Sequence, residues 1–413
     1  MSRITKASYA TLAAVTMAHF LNHVYTGALS PFLPLIQIEL SLNYTEIGVI
    51  TSAAVVAMTI SHLLVGYLGD RGWRWRDAFI SSSILMSAIA MLLTSYSSSF
   101  LILAVFQAFL GIGASGYHPS VFPALAEKFP QRTLAKATGI QAMGGLVGMA
   151  VIPFLGVTLL VALGDWRPSL IALSLMGFLF FIPVIILMRA SRDGYENGFM
   201  DADDECKGTD GWTRDYWLGL TLMGLRGMSF RCTSLLMPVY LVATYTEDPI
   251  WAGYLTTIML SAGLVGEIVS APLSDRLNRR VPFLVVSTGL ATPALLLLNY
   301  SLNQTALILM LIVIGFFFYL GVPPNTAFLT EVSPRASRGL AFGLLFSVGA
   351  IPGAISPIIF GWIGDVYGLS ASILFLVITT TLATIVALFL REIKPKDQTG
   401  ESYLYLDPAV QPE

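Results

Sequence analysis

Charged residues are scarce in this sequence of 413 residues, where Asp, Glu, Lys and Arg together make up 12%. Soluble proteins carry about 25% charged residues, so the composition argues against a water-soluble domain. Cysteine is almost absent, and the spacing of Cys206 and Cys232 fits neither a disulfide framework nor a zinc motif. A phosphate-binding loop and a nucleophile elbow are also missing. We therefore expect no enzyme, no cofactor, no metal site and no nucleic-acid partner.

Long apolar runs dominate the sequence, since 55% of its residues are hydrophobic. A bilayer core about 30 Å thick requires roughly 20 apolar residues per helix, and the chain contains twelve such stretches. This pattern predicts an all-α membrane protein with twelve transmembrane helices. The predicted spans are residues 9–36, 46–69, 78–96, 100–126, 135–160, 168–189, 216–243, 251–274, 282–300, 305–330, 336–362 and 369–391.

One connection, residues 190–215, is much longer than the turns between the other spans. It is acidic and polar and would not pack in a membrane. We interpret it as a cytoplasmic linker between two six-helix bundles, which occupy residues 1–189 and 216–391. Residues 392–413 are polar and are predicted to form a disordered cytoplasmic tail.

Basic residues are distributed unevenly between the two sets of turns. Twenty of the 23 Lys and Arg residues fall in the N-terminus, the C-terminal tail and the turns that follow even-numbered spans. Arg167 falls in a turn of the other set, and Arg226 and Arg231 fall inside a span. Because cytoplasmic loops carry the excess of Lys and Arg, both termini are predicted to be cytoplasmic, in a multi-pass protein of the inner membrane.

A short cluster of charge between two apolar runs occurs twice in the chain. Gly66–Arg76 separates the second span from the third, and Ala271–Arg280 separates the eighth from the ninth. Asp70-Arg71 in the first copy corresponds to Asp275-Arg276 in the second, and other matched positions keep an offset of 204 to 207 residues. This repeat predicts two parallel, pseudo-symmetric bundles with a binding site between them, as in transporters that work by rocking.

The first copy resembles the cytoplasmic signature of the major facilitator superfamily, and the resemblance extends over essentially the whole chain. It implies the major facilitator fold, with a latch that joins the two bundles on the cytoplasmic side. The gating residues that the resemblance implies are Gly66, Asp70, Arg71, Arg74, Arg76, Asp275 and Arg276.

Two further motifs are similar to the fosmidomycin-resistance group of efflux proteins within that superfamily. They are His19-Phe-Leu-Asn22-His23 in the first span and Gly111-Ile-Gly113-Ala-Ser-Gly-Tyr-His118-Pro119 in the fourth. The chain departs from the group at His23, where an acidic residue is expected. The resemblance implies efflux of a small solute in exchange for protons.

Seven ionisable side chains fall inside the predicted spans: His19, His23, His62, His118, Arg226, Arg231 and Glu267. Each costs about 2.5–3.5 kcal/mol on insertion scales, so such residues usually face a cavity and serve a function. Arg226 lies roughly 15 Å into its helix and opposite His19 in the repeat alignment. A guanidinium matches carboxylate or phosphate oxygens, so we expect an anion clamp. The alternative is a structural arginine neutralised by Glu267.

Eight residues are candidates for substrate binding: His19, Asn22, His23, His118, Gln141, Arg226, Arg231 and Tyr240. Glu267, His118 and His62 are candidates for proton coupling, because a buried carboxyl can carry a proton and histidine titrates near neutral pH. In the alternative interpretation, Glu267 caps Arg71 or Arg276 in the latch, and a membrane histidine such as His118 is a hydrogen-bonded structural residue.

The preferred hypothesis is a monomeric secondary transporter that exports a small organic anion or drug-like solute in exchange for protons. An importer of a carboxylate or phosphate ester, working by symport or anion exchange, would use the same Arg226, and the sequence does not set the direction. A membrane receptor that has lost transport is a third alternative. The paired latch residues in both halves argue against it.

Overall fold

The computed structural model describes residues 5–69, 71–191, 209, 211–300, 302–334, 341, 344–345 and 349–392. Asp70, most of the predicted linker and the predicted tail beyond residue 392 lie outside these residues. Almost all of the described chain is helical. The helices fall into two halves, on either side of the linker.

Within the described residues, the N-terminal half has eight helices. They are α1 (Lys6–Gly27), α2 (Leu33–Glu39), α3 (Tyr44–Gly69), α4 (Trp73–Ser95), α5 (Phe100–Ala114), α6 (His118–Lys128), α7 (Gln131–Leu163) and α8 (Trp166–Ala190). A 3₁₀ turn at Ser30–Phe32 joins α1 to α2, so these two helices share the first crossing. Helices α5 and α6 share the fourth crossing, which is interrupted just before His118-Pro119 because proline suits the first turn of a helix but not its interior.

The C-terminal half has seven described helices. They are α9 (Arg214–Leu241), α10 (Pro249–Leu277), α11 (Val281–Leu297), α12 (Gln304–Leu320), α13 (Val322–Val332), α14 (Ile351–Tyr367) and α15 (Leu369–Leu388). Gly321 separates α12 from α13, at the position that corresponds to the break between α5 and α6. The eleventh predicted span is described only in part before α14.

Eight segments of the described chain are long and apolar enough to cross a membrane, judged by length and composition. Helices α11 and α14 are shorter apolar helices, while α1 and α9 carry polar residues of the candidate site. Together these segments make the twelve membrane crossings that the sequence predicts. The prediction of an all-α membrane protein with two six-helix bundles is confirmed.

The same packing pattern occurs in both halves. Helix α1 packs on α7 and α8, and its counterpart α9 packs on α14 and α15. Likewise, α3 packs on α5 in the N-terminal half, and α10 packs on α12 in the C-terminal half. Gly111 of α5 lies against the backbone carbonyl of Ala54, and Gly315 of α12 lies against that of Met259, so closely that an added Cβ would overlap the carbonyl oxygen. Small residues permit such close helix crossings in membranes, and the two glycines are 204 residues apart.

The two ends of the bundle differ in the charges they carry. We call the end at which α1 begins and α15 ends the basic side, and the end at which α3 begins and α14 ends the far side. On the basic side, Arg76 forms an ion pair with Glu127. Its counterpart Arg280 contacts Asp275 at 2.7 Å and Glu331 at 3.2 Å. Burial lowers the pKa of Arg280, but hydrogen bonds and charge from these two carboxylates outweigh it and raise the pKa overall.

The two halves meet at the far side through backbone and side-chain contacts. The carboxylate of Asp365, near the end of α14, accepts hydrogen bonds from the backbone N–H groups of Tyr44 at 2.9 Å and Thr45 at 2.8 Å. The Ser30 hydroxyl donates to the carbonyl oxygen of Leu235 at 2.8 Å. These contacts join the N-terminal half to α9 and α14 of the C-terminal half.

Candidate functional site

All four histidines of the chain lie in one cluster within the N-terminal half. The ring centroid of His118 is 5.3 Å from that of His19, 6.0 Å from that of His23 and 6.1 Å from that of His62. His19 and His23 are one helical turn apart on α1, with centroids 4.8 Å apart. The break between α5 and α6 places His118 at the start of a new helix, pointing into this group.

His19 is the most constrained member of the cluster. Its ring stacks on Tyr117 with centroids 4.8 Å apart. Its Nδ1 lies 2.9 Å from the backbone carbonyl oxygen of Gln141 and 2.8 Å from Gln141 Nε2. Gln141 Nε2 also donates to the Tyr117 hydroxyl at 2.6 Å, and that hydroxyl donates to the Val15 carbonyl at 2.9 Å. Nε2 of His19 is buried without a hydrogen-bond partner among the described residues.

The close approach of α7 to His19 depends on one glycine. An added Cβ at Gly145 would lie 2.5 Å from His19 Cε1. The neighbouring Gly144 packs against the backbone of Thr16 on α1. Helix α7 therefore forms a wall that fixes the His19 ring, while Gln141, one turn earlier on the same helix, fixes its orientation.

Arg226 in the C-terminal half is 93% buried, with 7% of its surface exposed. One terminal nitrogen donates to the carbonyl oxygen of Phe318 in α12, and Nε has no partner among the described residues. The guanidinium also lies over the ring of Phe230, 5.6 Å from its centroid. Since a guanidinium has five N–H donors, Arg226 retains donors beyond those that hold it in place.

Arg231 lies farther along α9 and is partly exposed. It interacts electrostatically with His23 of the N-terminal half and with Tyr319 of α12. The Tyr319 hydroxyl lies 3.4 Å from Ser234 Oγ and 3.4 Å from the sulfur of Met149 in the opposite half. Arg231 is thus the arginine that faces the histidine cluster, with Tyr319 at the boundary between the halves.

Glu267 of α10 lies in the same half of the protein as the two arginines. It interacts electrostatically with Arg226 and Tyr319, and its Oε2 is buried without a hydrogen-bond partner in the described chain. Arg226 and Glu267 do not form an ion pair within 4 Å in the described part of the chain. The carboxyl is therefore near a positive charge without being fixed by it.

Two predicted substrate residues donate hydrogen bonds to backbone carbonyl groups. The Tyr240 hydroxyl donates to the Leu298 carbonyl at 2.6 Å, near the far side, away from the histidine cluster. The Asn22 amide donates to the Ala114 carbonyl at 2.8 Å and ties α1 to the end of α5. The structure thus brings together His19, His23, His118 and Gln141 in one half and Arg226 and Arg231 in the other.

The predicted gating residues occupy the basic side, except Asp70, which lies outside the described residues. Arg71 donates to the Tyr67 hydroxyl at 2.8 Å, while Arg276 is exposed. Sequence reasoning missed Glu127 and Glu331, the acidic partners of Arg76 and Arg280. The repeat could have identified this pairing, because Arg280 and Glu331 each lie 204 residues after Arg76 and Glu127.

Comparison with known proteins places this architecture in a family. The family model of the Major Facilitator Superfamily matches residues 15–204 and 219–403. A solved structure of a bacterial homologue of the human lysosomal transporter Spinster, inward-facing and unoccupied, superposes with a TM-score of 0.79 at 18% identity, covering 94% of this chain and 98% of that one. At this level of identity, the similarity shows that the two proteins share a fold.

Three curated relatives cover most of the chain at low identity. A probable sulfoacetate transporter of Cupriavidus necator is 24% identical over 88% of this chain and 89% of its own length. A cis,cis-muconate transport protein of Acinetobacter baylyi is 26% identical over 80% of this chain and 81% of its own length. The fosmidomycin resistance protein of Escherichia coli is 22% identical over 85% of this chain and 86% of its own length. It is therefore one distant relative among several. The chain belongs to the Major Facilitator Superfamily, and it is a membrane transporter rather than an enzyme.

Proposed function

We propose that this protein moves a small organic anion across the cytoplasmic membrane by alternating access. The observation that carries the proposal is the electrostatic interaction of Arg231 with His23, a member of the four-histidine cluster in the other half, together with the buried Arg226 on the same helix. Arginine offers charge-assisted hydrogen bonds to carboxylate, sulfonate and phosphate oxygens. A buried cation without a fixed anionic partner is costly, and an anionic cargo would offset that cost.

The relatives support an anionic cargo. Sulfoacetate and cis,cis-muconate, the solutes named for two of them, are small organic anions. The site residues offer donors from both halves: His19, His23 and His118 with Gln141 on one side, and Arg226 and Arg231 on the other. An anion bound between the halves would contact both, which is what a rocking mechanism requires.

The contacts between the halves at the far side support alternating access. The far-side ends of α3 and α14 are joined by Asp365, which would close the cavity on that side. We propose that the basic side faces the cytoplasm, with both termini there, and that the protein works as a monomer. Gly66, Asp70, Arg71, Arg74, Arg76, Asp275 and Arg276 would form the gate that closes when the far side opens.

We further propose proton-coupled antiport in the direction of efflux, with Glu267 as the carrier and His118 and His62 as additional candidates. Glu267 interacts electrostatically with Arg226, and in this proposal it alternates between a protonated state and an ion pair with that arginine. Proton symport or anion exchange for uptake would use the same residues. Vesicles with a pH gradient imposed in either orientation separate these mechanisms, because efflux antiport and uptake symport respond with opposite signs.

The test is anion flux in proteoliposomes, with sulfoacetate and cis,cis-muconate as probes. We expect Arg226→Ala and His19→Ala to abolish flux and Arg226→Lys to retain part of it. Arg279→Gln, which changes an exposed basic-side arginine, should leave flux unchanged. Unchanged flux in properly inserted Arg226→Ala protein would overturn the assignment of the site.

A further inference from the structure

Three histidines of the cluster are close enough to share one ligand. One ring nitrogen from each of His19, His23 and His118 lies within 4.8 Å of the other two. Imidazole nitrogen is the commonest protein ligand for divalent transition metals, and three histidines with an open fourth position form a known arrangement for zinc. The two α1 ligands are one turn apart, and the third comes from the start of α6.

The surroundings of His19 favour metal binding over a purely structural role. Nδ1 has two contacts: in one tautomer it donates to the Gln141 carbonyl oxygen at 2.9 Å, and in the other it accepts from Gln141 Nε2 at 2.8 Å. Metal binding selects the first tautomer, in which Nε2 has a free lone pair. That nitrogen is buried and has no partner among the described residues, in a side chain that is only 8% exposed. A histidine ligand typically donates its other N–H to a backbone carbonyl or carboxylate, which fixes the tautomer. Gln141 supplies this support.

The separation of the nitrogens fits a site that tightens when it is filled. With metal–nitrogen bonds of about 2.0–2.1 Å, tetrahedral geometry sets the ligand nitrogens about 3.4 Å apart. The observed limit of 4.8 Å therefore requires inward movement of roughly an ångström. His23 and His118 are only partly buried, and rotation of their rings can supply this movement while Gly145 and Gln141 hold His19.

Competing explanations for the cluster account for less. A stacked structural network would satisfy the ring nitrogens with hydrogen bonds, yet His19 Nε2 and His62 Nε2 are both buried without partners in the described chain. Anion recognition by the histidines explains the position opposite Arg231, but it does not require three nitrogens to converge on one point. Convergent lone pairs attract a cation.

We propose that His19, His23 and His118 bind one divalent cation of the borderline class, such as Zn²⁺ or Co²⁺, from the side of the central cavity. His62, which is adjacent to His118 but outside the set of three, is not a ligand. This site does not depend on the identity of the transported anion, and its occupancy is measurable without one.

The test is binding of Co²⁺ alone to purified full-length protein in detergent, followed by its visible absorption spectrum and by displacement with Zn²⁺. The protein should carry a tag without histidine, because all four of its own histidines lie in the cluster. Cys206→Ser and Cys232→Ser in the background remove the thiols as ligands. We expect one Co²⁺ per chain with a ligand-field spectrum of low coordination number.

Single substitutions distinguish this site from adventitious binding. His19→Ala, His23→Ala and His118→Ala should each weaken Co²⁺ binding by about 100-fold or more. Changes to residues that only support a ligand typically cost about 10- to 100-fold. His62→Ala should change it less than about 3-fold. Size-exclusion profiles identify variants that fail to fold, and His19→Gln provides a second variant of similar volume.

The result that overturns the proposal is an absence of saturable binding by the folded parent, or equal binding by the His19, His23 and His118 variants. Arg226→Ala should bind Co²⁺ like the parent. Loss of anion flux with retained Co²⁺ binding in that variant would separate the cation site from the proposed transport function. Co²⁺ binding without any anion flux in the parent would support the cation site and contradict the proposed transport function.

Discussion

Asp365 caps the first turn of α3 from the opposite half, with a carboxylate oxygen 2.8 Å from the backbone nitrogen of Thr45. The Thr45 hydroxyl also donates to this oxygen at 2.5 Å. A carboxylate at a helix N-terminus satisfies free N–H groups and interacts favourably with the helix dipole. Because the cap and the helix belong to different halves, this interaction stabilises the state in which the far side is closed.

Asp365→Ala should therefore shift the protein toward the far-side-open state. Loss of a cap costs about 0.5–2 kcal/mol, which corresponds to roughly a 2- to 30-fold change in the equilibrium between states. The measurement is the rate of labelling of a single cysteine at Ser30, at the far-side contact, by a membrane-impermeant maleimide. Glu46→Ala is the matched control, since the Glu46 carboxylate accepts from the backbone N–H of Asn43, the residue that caps the same helix from within its own half. Equal labelling rates in the two variants would contradict the role of Asp365.

Gly48→Ala should shift the same equilibrium in the same direction and by more. Gly48 of α3 lies against the backbone carbonyl of Pro357 in α14, where an added Cβ would overlap the oxygen. Backbone atoms cannot swing aside as a side chain can, so the halves must separate at this point. Gly139→Ala is the control, because no atom lies within 4 Å of the added Cβ there. A Gly48→Ala protein with parental Ser30-site labelling would refute this expectation.

The twofold repeat explains why so much of the fold was predictable. Hydrophobic length identified the crossings, and an offset near 204 residues related the halves. The breaks at Tyr117 and Gly321, each at the start of a second helix within one crossing, follow the same offset. What the sequence did not reveal was the partner of each charge. Asp365 was not singled out because its partners are backbone N–H groups, which leave no pattern in a sequence.

The candidate site was predictable residue by residue but not as an arrangement. Rarity of charge in the membrane identified Arg226, Arg231, Glu267 and the histidines. The expectation of no metal site rested on cysteine spacing, whereas the histidines converge only when α1, α3 and α6 pack together. Tyr240 shows another limit of prediction from sequence. Its buried hydroxyl donates to a backbone carbonyl, and a sequence does not distinguish such a hydroxyl from one that contacts a ligand.

Glu331→Gln should destabilise the C-terminal half. Arg280 is buried, with a side chain only 7% exposed, and its Nε and one terminal nitrogen both donate to Glu331 at 3.2–3.3 Å. Weakening a hydrogen bond between charged partners in such a setting costs about 1.5–3 kcal/mol. The measurement is the thermal unfolding midpoint of purified protein in detergent, with Arg279→Gln as an exposed control on the same turn. If both variants unfold at the parental temperature, the Arg280 interaction does not contribute to stability.

Glu267→Gln should separate proton coupling from substrate exchange. A glutamine keeps the size and hydrogen-bonding capacity of the protonated acid but cannot release a proton. In proteoliposomes, we expect transport driven by a pH gradient to be lost, while exchange of labelled for unlabelled anion continues. Glu247→Gln, at an exposed far-side position, should retain both activities. Gradient-driven transport that survives Glu267→Gln would exclude Glu267 as the carrier.

Gly145→Ala should disable the site without changing any of its polar groups. The added methyl carbon would lie 2.5 Å from His19 Cε1, so the ring must move away from α7 and lose its contacts with Gln141. Because misplacement of a binding group by about an ångström can cost about 100-fold, anion affinity should fall sharply while the protein remains folded. Titration with sulfoacetate or cis,cis-muconate, followed by thermal shift, measures the effect, and Gly139→Ala on the same helix is the control. Parental affinity in Gly145→Ala would mean that the position of His19 does not matter for binding, and the anion would then have to be held by the arginines alone.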